Sequence, residues 1–103
     1  MTSTKFIEYR KMIESEFANA CIKHPKFCDA MLESNVNYAK QEFFIKNYAM
    51  KNVDKYYATL ILDEEIAEAM NAYQQGDKEH CLQELAQCGA VILRMMEFVD
   101  AEQ

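Results

Sequence analysis

Apolar residues recur along this chain at the three- and four-residue steps of amphipathic helices. Phe6, Ile7, Met12, Ile13, Phe17, Ala20 and Cys21 mark the first such face. The run Thr2 to Thr4 suits its cap, and His24-Pro25 suits its end, because a residue before proline resists the α conformation. The stretch KFCDAMLESN is less regular and reads as a connection holding one turn of helix at most. A second helix is expected from about Asn35 to Lys51, carrying Val36, Phe43, Phe44 and Tyr48. Asn52 or Asp54 then caps a third helix that runs to about Gln75. Gly76 suits the left-handed position past a helix end, and Asp77 suits the cap of a last helix reaching about Asp100. The pattern shows no repeat, low-complexity tract or linker, so residues 1–103 read as a single all-α domain of four helices.

On a helical wheel at about 100° per residue, Ala58, Leu62, Ile66, Ala69 and Tyr73 form the apolar arc of the third helix. Glu65 and Glu68 lie on one flank of that arc. On the last helix Cys81, Leu85, Cys88, Ile92, Met96 and Val99 form the arc, with Glu84 and Gln87 on the flank of the same rotational sense and Val91 and Arg94 continuing their stripe. A short turn at Gly76-Asp77 requires the two helices to run antiparallel. Equal offsets on antiparallel helices point to the same side, and the turn's midpoint sets Glu68 level with Glu84 and Glu65 level with Gln87. The four side chains are therefore expected to converge.

Composition supports helices: two glycines and one proline are too few for the turns of an all-β chain. The net charge of −6 disfavours a nucleic-acid polymer, which calls for a basic stripe. It leaves open an anionic small molecule bound through metal ions, or simple solubility. No window approaches the roughly 18 apolar residues of a membrane span. The cysteines Cys21, Cys28, Cys81 and Cys88 contain no CxxC pair, and MTSTKFIEYRKM has no apolar signal run. The expectation is a cytoplasmic protein with reduced thiols and no membrane partner.

Convergent carboxylates are costly. Two of them about 4 Å apart repel by roughly 4 kcal/mol at an effective dielectric near 20, so three need a proton, a basic partner or a metal. Most helical glutamates are merely solvated, but matched pairs at equal heights on a capped hairpin are not an ordinary surface pattern. Oxygen ligands at this spacing suit a hard cation such as Mg²⁺, which keeps several waters and shares a substrate's phosphates.

The segment EEIAEAMNAYQQGDKEHCLQELAQ, residues 64–87, resembles the core of MazG-like nucleoside triphosphate pyrophosphohydrolases, the all-α group that includes the dimeric dUTPases. That family carries EExxE on one helix and ExxD on the next. Glu64, Glu65 and Glu68 match the first part and Glu84 the second, while Gln87 stands where the family has aspartate. The likeness covers residues 60–99. It implies a four-helix bundle completed by oligomerisation, as a homodimer or homotetramer. It also implies Mg²⁺-dependent hydrolysis of (d)NTP to (d)NMP and pyrophosphate, limiting unwanted nucleotides. The implied metal ligands are Glu65, Glu68, Glu84 and Gln87, the last a weaker one because an amide brings no charge. Glu64 and Glu65 are the implied catalytic acids, with Glu64 an outer ligand, a hydrogen-bonder behind a ligand or a base for water. Arg94, Lys55 and Lys78 are candidates to neutralise the triphosphate, as is Lys51. The alternative is a bundle of weakened catalysis that binds a nucleotide or a protein partner, a reading that Gln87 favours.

Other constellations carry less. Cys21, His24 and Cys28 lack a fourth zinc ligand at a suitable spacing and read as buried thiols beside a surface histidine. Asp77 and His80 form a DxxH at a helix start, where a cap explains Asp77 better than a di-iron site. Met70, Met95 and Met96 read as core filler. Phe43, Phe44, Tyr48, Tyr56 and Tyr57 offer a flat wall for a nucleobase, or core and interface packing.

Overall fold

A computed structural model describes residues 3–51, 55 and 57–102. The described residues form four α-helices and no strand: α1 (Ser3–Lys23), α2 (Tyr38–Lys51), α3 (Ala58–Gln74) and α4 (Lys78–Ala101). The all-α expectation therefore holds. Among the described residues no helix is long and apolar enough to cross a membrane.

Local chemistry sets the helix ends. The last turn of α1 closes with His24 N–H donating to Ala20 O at 2.8 Å, directly before Pro25. The stretch KFCDAMLESN is a connection, as expected, and residues 24–37 form bends and turns with no helical turn. Helix α2 starts at Tyr38 rather than near Asn35, because Asn37 is the cap: its Oδ1 accepts from Lys40 N–H at 3.1 Å. Helix α3 starts at Ala58 behind an extended Tyr57 that makes no side-chain capping bond. The caps proposed at Thr2, Asn52 and Asp54, and the aromatic Tyr56, lie outside the described residues.

The turn between α3 and α4 follows the sequence closely. Gly76 has φ +81°, a conformation glycine adopts without the Cβ clash of other residues. Its N–H donates to Tyr73 O at 3.0 Å and Asp77 N–H donates to Ala72 O at 2.9 Å, which together make the Schellman closure of α3. Asp77 then turns its Oδ1 to accept from His80 N–H at 3.0 Å, capping α4.

The chain forms two compact units. The first comprises residues 1–31 and 93–103, that is, α1 and the end of α4. Its tie is Tyr9, the buried residue of α1, whose hydroxyl donates to Asp100 Oδ2 at 2.7 Å, with Lys5 Nζ 3.2 Å from the same oxygen. The rest of the expected α1 face, including Met12, Ile13 and Phe17, is exposed. Cys21 and Cys28 are exposed too, contrary to their expected burial.

The second unit, residues 32–92, holds α2, α3 and the first part of α4. Helix α2 lies antiparallel to α3 through a polar ladder. Tyr38 N–H donates to Gln74 Oε1 at 3.0 Å, Asn71 Nδ2 donates to Glu42 Oε1 at 3.1 Å, and Lys46 Nζ stands 3.2 Å from Glu68 Oε1. Steps of four along α2 thus meet steps of three along α3. The outward side of α2 carries Phe43, Phe44 and Tyr48, all exposed.

Helix α3 meets α2 along the polar ladder and α4 at its glutamates, and its buried line shares only Ala69 with the arc read from the wheel. Ala67, Ala69 and Ala72 are buried, while Ile66 and Tyr73 are 41% and 48% exposed. On α4 the buried line is Cys81, Glu84 and Cys88, with Leu85 and Ile92 partly exposed. Small side chains allow close approach of the helices, and the acids expected on the flank stand in this seam.

Candidate metal centre

The hairpin brings three carboxylates together. Glu65 and Glu68 from α3 and Glu84 from α4 offer oxygens that all lie within 4.8 Å of one another. Glu68 and Glu84 each stand eight residues from Gly76, so the Schellman turn and the Asp77 cap set them at one height. Glu84 is only 7% exposed, and Glu65 and Glu68 are half-buried.

Two oxygens in this group are enclosed and make no hydrogen bond, Glu65 Oε2 and Glu84 Oε2. An enclosed carboxylate oxygen without a donor retains its desolvation cost. Burial pushes the Glu68 carboxyl above its usual range, the neighbouring Glu84 adds to the rise, and Lys46 opposes it without cancelling it. Two carboxylates make a hydrogen bond only with a proton on one of them, so contact between Glu68 and Glu84 favours protonated Glu68. The same field reaches Cys88 one turn further along α4. Burial raises that thiol's pKa, with the charges of Glu65 and Glu84 contributing, so it stays protonated.

Basic and neutral partners frame the acids. Lys46 Nζ lies 3.0 Å from Glu42 Oε2 as well as 3.2 Å from Glu68 Oε1. Burial pushes Glu42 up, but Lys46 and Asn71 hydrogen bonds and the charges of Lys46 and His80 outweigh it and hold the carboxyl below the usual range. His80 Nε2 lies 3.2 Å from Glu84 Oε1, one helical turn away.

The other residues singled out from the sequence are placed as follows. Gln87 is exposed on α4. Glu64 is half-buried on α3. Lys78 is exposed at the first residue of α4, Lys55 is exposed ahead of α3, and Lys51 ends α2. Arg94 is exposed and belongs to the other unit. Cys21, His24 and Cys28 form no ligand group among the described residues. Asp77 acts as a cap, as expected.

Sequence reading did not single out Lys46, Glu42 or Asn71. Their meeting depends on the register of α2 against α3, which no local spacing encodes. The contact of His80 with Glu84 was legible as an i, i+4 pair.

An all-oxygen donor set fits a hard divalent cation. Oxygens on a Mg²⁺ octahedron stand about 3 Å apart when adjacent and about 4.2 Å when opposite. The three acids already lie within 4.8 Å, so small side-chain adjustments suffice. The two enclosed oxygens without donors are the positions a cation would satisfy. No protein-family model, curated protein or solved structure matches the chain.

Proposed function

We propose that this chain is a Mg²⁺-dependent nucleoside triphosphate pyrophosphohydrolase of MazG-like type, acting as a homo-oligomer. Its reaction consumes one water and yields a nucleoside monophosphate and pyrophosphate. The observation that carries the reading is the convergence of Glu65, Glu68 and Glu84 around enclosed oxygens that lack donors. When bound, Mg²⁺ supplies charge neutralisation and Lewis-acid polarisation of the phosphoryl oxygens. Glu65, Glu68 and Glu84 hold it, and Glu64 beside them is the candidate to accept a proton from the attacking water. Lys55 and Lys78 are candidate contacts for the triphosphate. Exposed Phe17, Phe43, Phe44 and Phe98 support association of copies, since large apolar patches are uncommon on monomers.

The test is a panel of canonical and modified (d)NTPs with Mg²⁺, following pyrophosphate and phosphate separately. Monophosphate and pyrophosphate in equal amounts are expected; release of phosphate, or no turnover with any member, refutes the assignment. A second reading, a bundle of weakened catalysis that binds a nucleotide or protein partner, is favoured by the exposed neutral Gln87, which leaves the centre three acids. Nucleotide binding without turnover is its signature.

A further inference from the structure

The acid cluster meets a cation that belongs to the chain itself. Lys46 reaches from α2 to Oε1 of Glu68, one of the three acids that converge. Its other partner, Glu42, is fixed independently because Asn71 donates to the second Glu42 oxygen. Lys46 therefore has one partner inside the cluster and one firm anchor outside it.

We propose that Lys46 is the resident counter-ion of the centre and its hook for an anionic ligand. It holds the Glu68 carboxyl while no divalent cation is bound, and it turns on its Glu42 anchor toward phosphate oxygens once a cation takes Glu68. This deepens the metal reading and rests on it. The enclosed, donorless oxygen of Glu84, whose side chain is 9% exposed, is the independent sign that the cluster awaits a ligand.

The geometry gives the reason for the exchange. A divalent cation held by the Glu68 carboxylate would stand close to the ammonium, which is 3.2 Å from Glu68 Oε1. Two cations held so close on one carboxylate repel. Lys46 can yield without being lost, because its side chain is 45% exposed and its contact with Glu42 does not depend on Glu68. An ammonium held beside a bound divalent cation is a compact positive site, and a ligand with several phosphate oxygens can bridge the two. The ligand class is a pyrophosphate or polyphosphate group rather than a neutral metabolite. Cation and anion then bind with positive coupling, because the anion accepts the lysine that the cation displaces.

The experiment uses the whole chain, with Mn²⁺ as a spectroscopically visible probe of the cation site and inorganic pyrophosphate as the anion. Mn²⁺ binding is measured by electron paramagnetic resonance for the natural protein, Lys46→Met and Lys46→Gln, with and without pyrophosphate. Removing the competing ammonium is expected to tighten Mn²⁺ binding in the absence of pyrophosphate. It is also expected to reduce the coupling between Mn²⁺ and pyrophosphate by at least roughly fivefold. Lys46→Arg keeps the charge and is expected to retain most of the coupling. Weaker Mn²⁺ binding by both neutral variants, or coupling equal to that of the natural protein, overturns the role of Lys46 while leaving the metal reading in place. Absence of Mn²⁺ binding by the natural protein overturns both. Circular dichroism verifies folding, and the two neutral variants differ in shape, so a packing defect in one does not decide the outcome.

Discussion

Asn71 on α3 donates to Glu42 on α2 at 3.1 Å, across 29 residues of sequence. That bond fixes one oxygen of Glu42 while the other holds Lys46, so the docking of α2 and the charge balance of the acid cluster share a residue. Hydrogen bonds to charged groups contribute about 1.5–3 kcal/mol, and Glu42 is only partly buried. Asn71→Ala is expected to destabilise the protein by about 1–2 kcal/mol, read from urea denaturation. Unchanged stability would show that α2 is held by other contacts.

Glu68 makes the metal-free protein sensitive to pH. Its folded pKa is raised, by burial first and by Glu84 second. A raised carboxyl pKa contributes stability that is present below the usual glutamate value and lost as pH rises through the folded value. Metal-free protein should therefore lose stability from this group as pH rises from the usual glutamate range through the raised folded value. Glu68→Gln should remove that loss and be more stable than the natural protein at neutral pH. Glu42, whose pKa is lowered, acts in the other direction: its contribution persists above the usual value and disappears as pH falls through the depressed one. Melting curves in the presence of a chelator, taken across this range, separate the two.

Divalent cation should stabilise the fold by mass action. At a Mg²⁺ concentration a hundredfold above Kd the gain is about 2.7 kcal/mol, a rise in Tm on the order of 10 °C for a chain of this size. Glu84→Gln should abolish most of the rise, since it removes the charge of the most deeply buried ligand candidate. A Tm that ignores Mg²⁺, or a full rise in Glu84→Gln, would rule out a cation at these acids.

The turn that levels Glu68 with Glu84 is open to direct test. Gly76→Ala should cost about 1–2 kcal/mol through its left-handed backbone alone, because an added Cβ meets nothing within 4 Å. Asp77→Ala should cost about 1 kcal/mol through loss of the α4 cap. Denaturant midpoints measure both, and a neutral result at either position would mean that the hairpin is held elsewhere.

Local sequence carried the hairpin. The glycine at the end of α3, the aspartate cap and the three-residue spacing of the glutamates place Glu65, Glu68 and Glu84 together, and each follows from contacts within a few turns. What the wheel missed was the depth of the acids. Of the arc it drew on α3, Ala69 is fully buried, but Ala67 and Ala72 take the remaining buried places while Ile66 and Tyr73 stay largely exposed. Lys46 was illegible for another reason: its place beside Glu68 depends on how α2 is registered against α3, and the polar residues of α2 gave no sign that they would face inward while Phe43 and Phe44 faced out.

The buried residues of the described chain are Tyr9, three alanines, two cysteines and Glu84, with no large side chain fully enclosed. Such an interior has a calorimetric consequence. The heat capacity of unfolding scales with newly exposed apolar area, at about 0.45 cal/K/mol per Å², and little such area is hidden here. An isolated copy should have a heat-capacity increment well below the roughly 1.2–1.5 kcal/mol/K of an ordinary domain of this length. Its denaturant slope should be correspondingly shallow. Its stability curve is then broad and flat, with little penalty on cooling. Whatever comes to cover Phe43, Phe44 and Phe98 would sharpen that curve, so the temperature response of this protein reports directly on whether those side chains are in water.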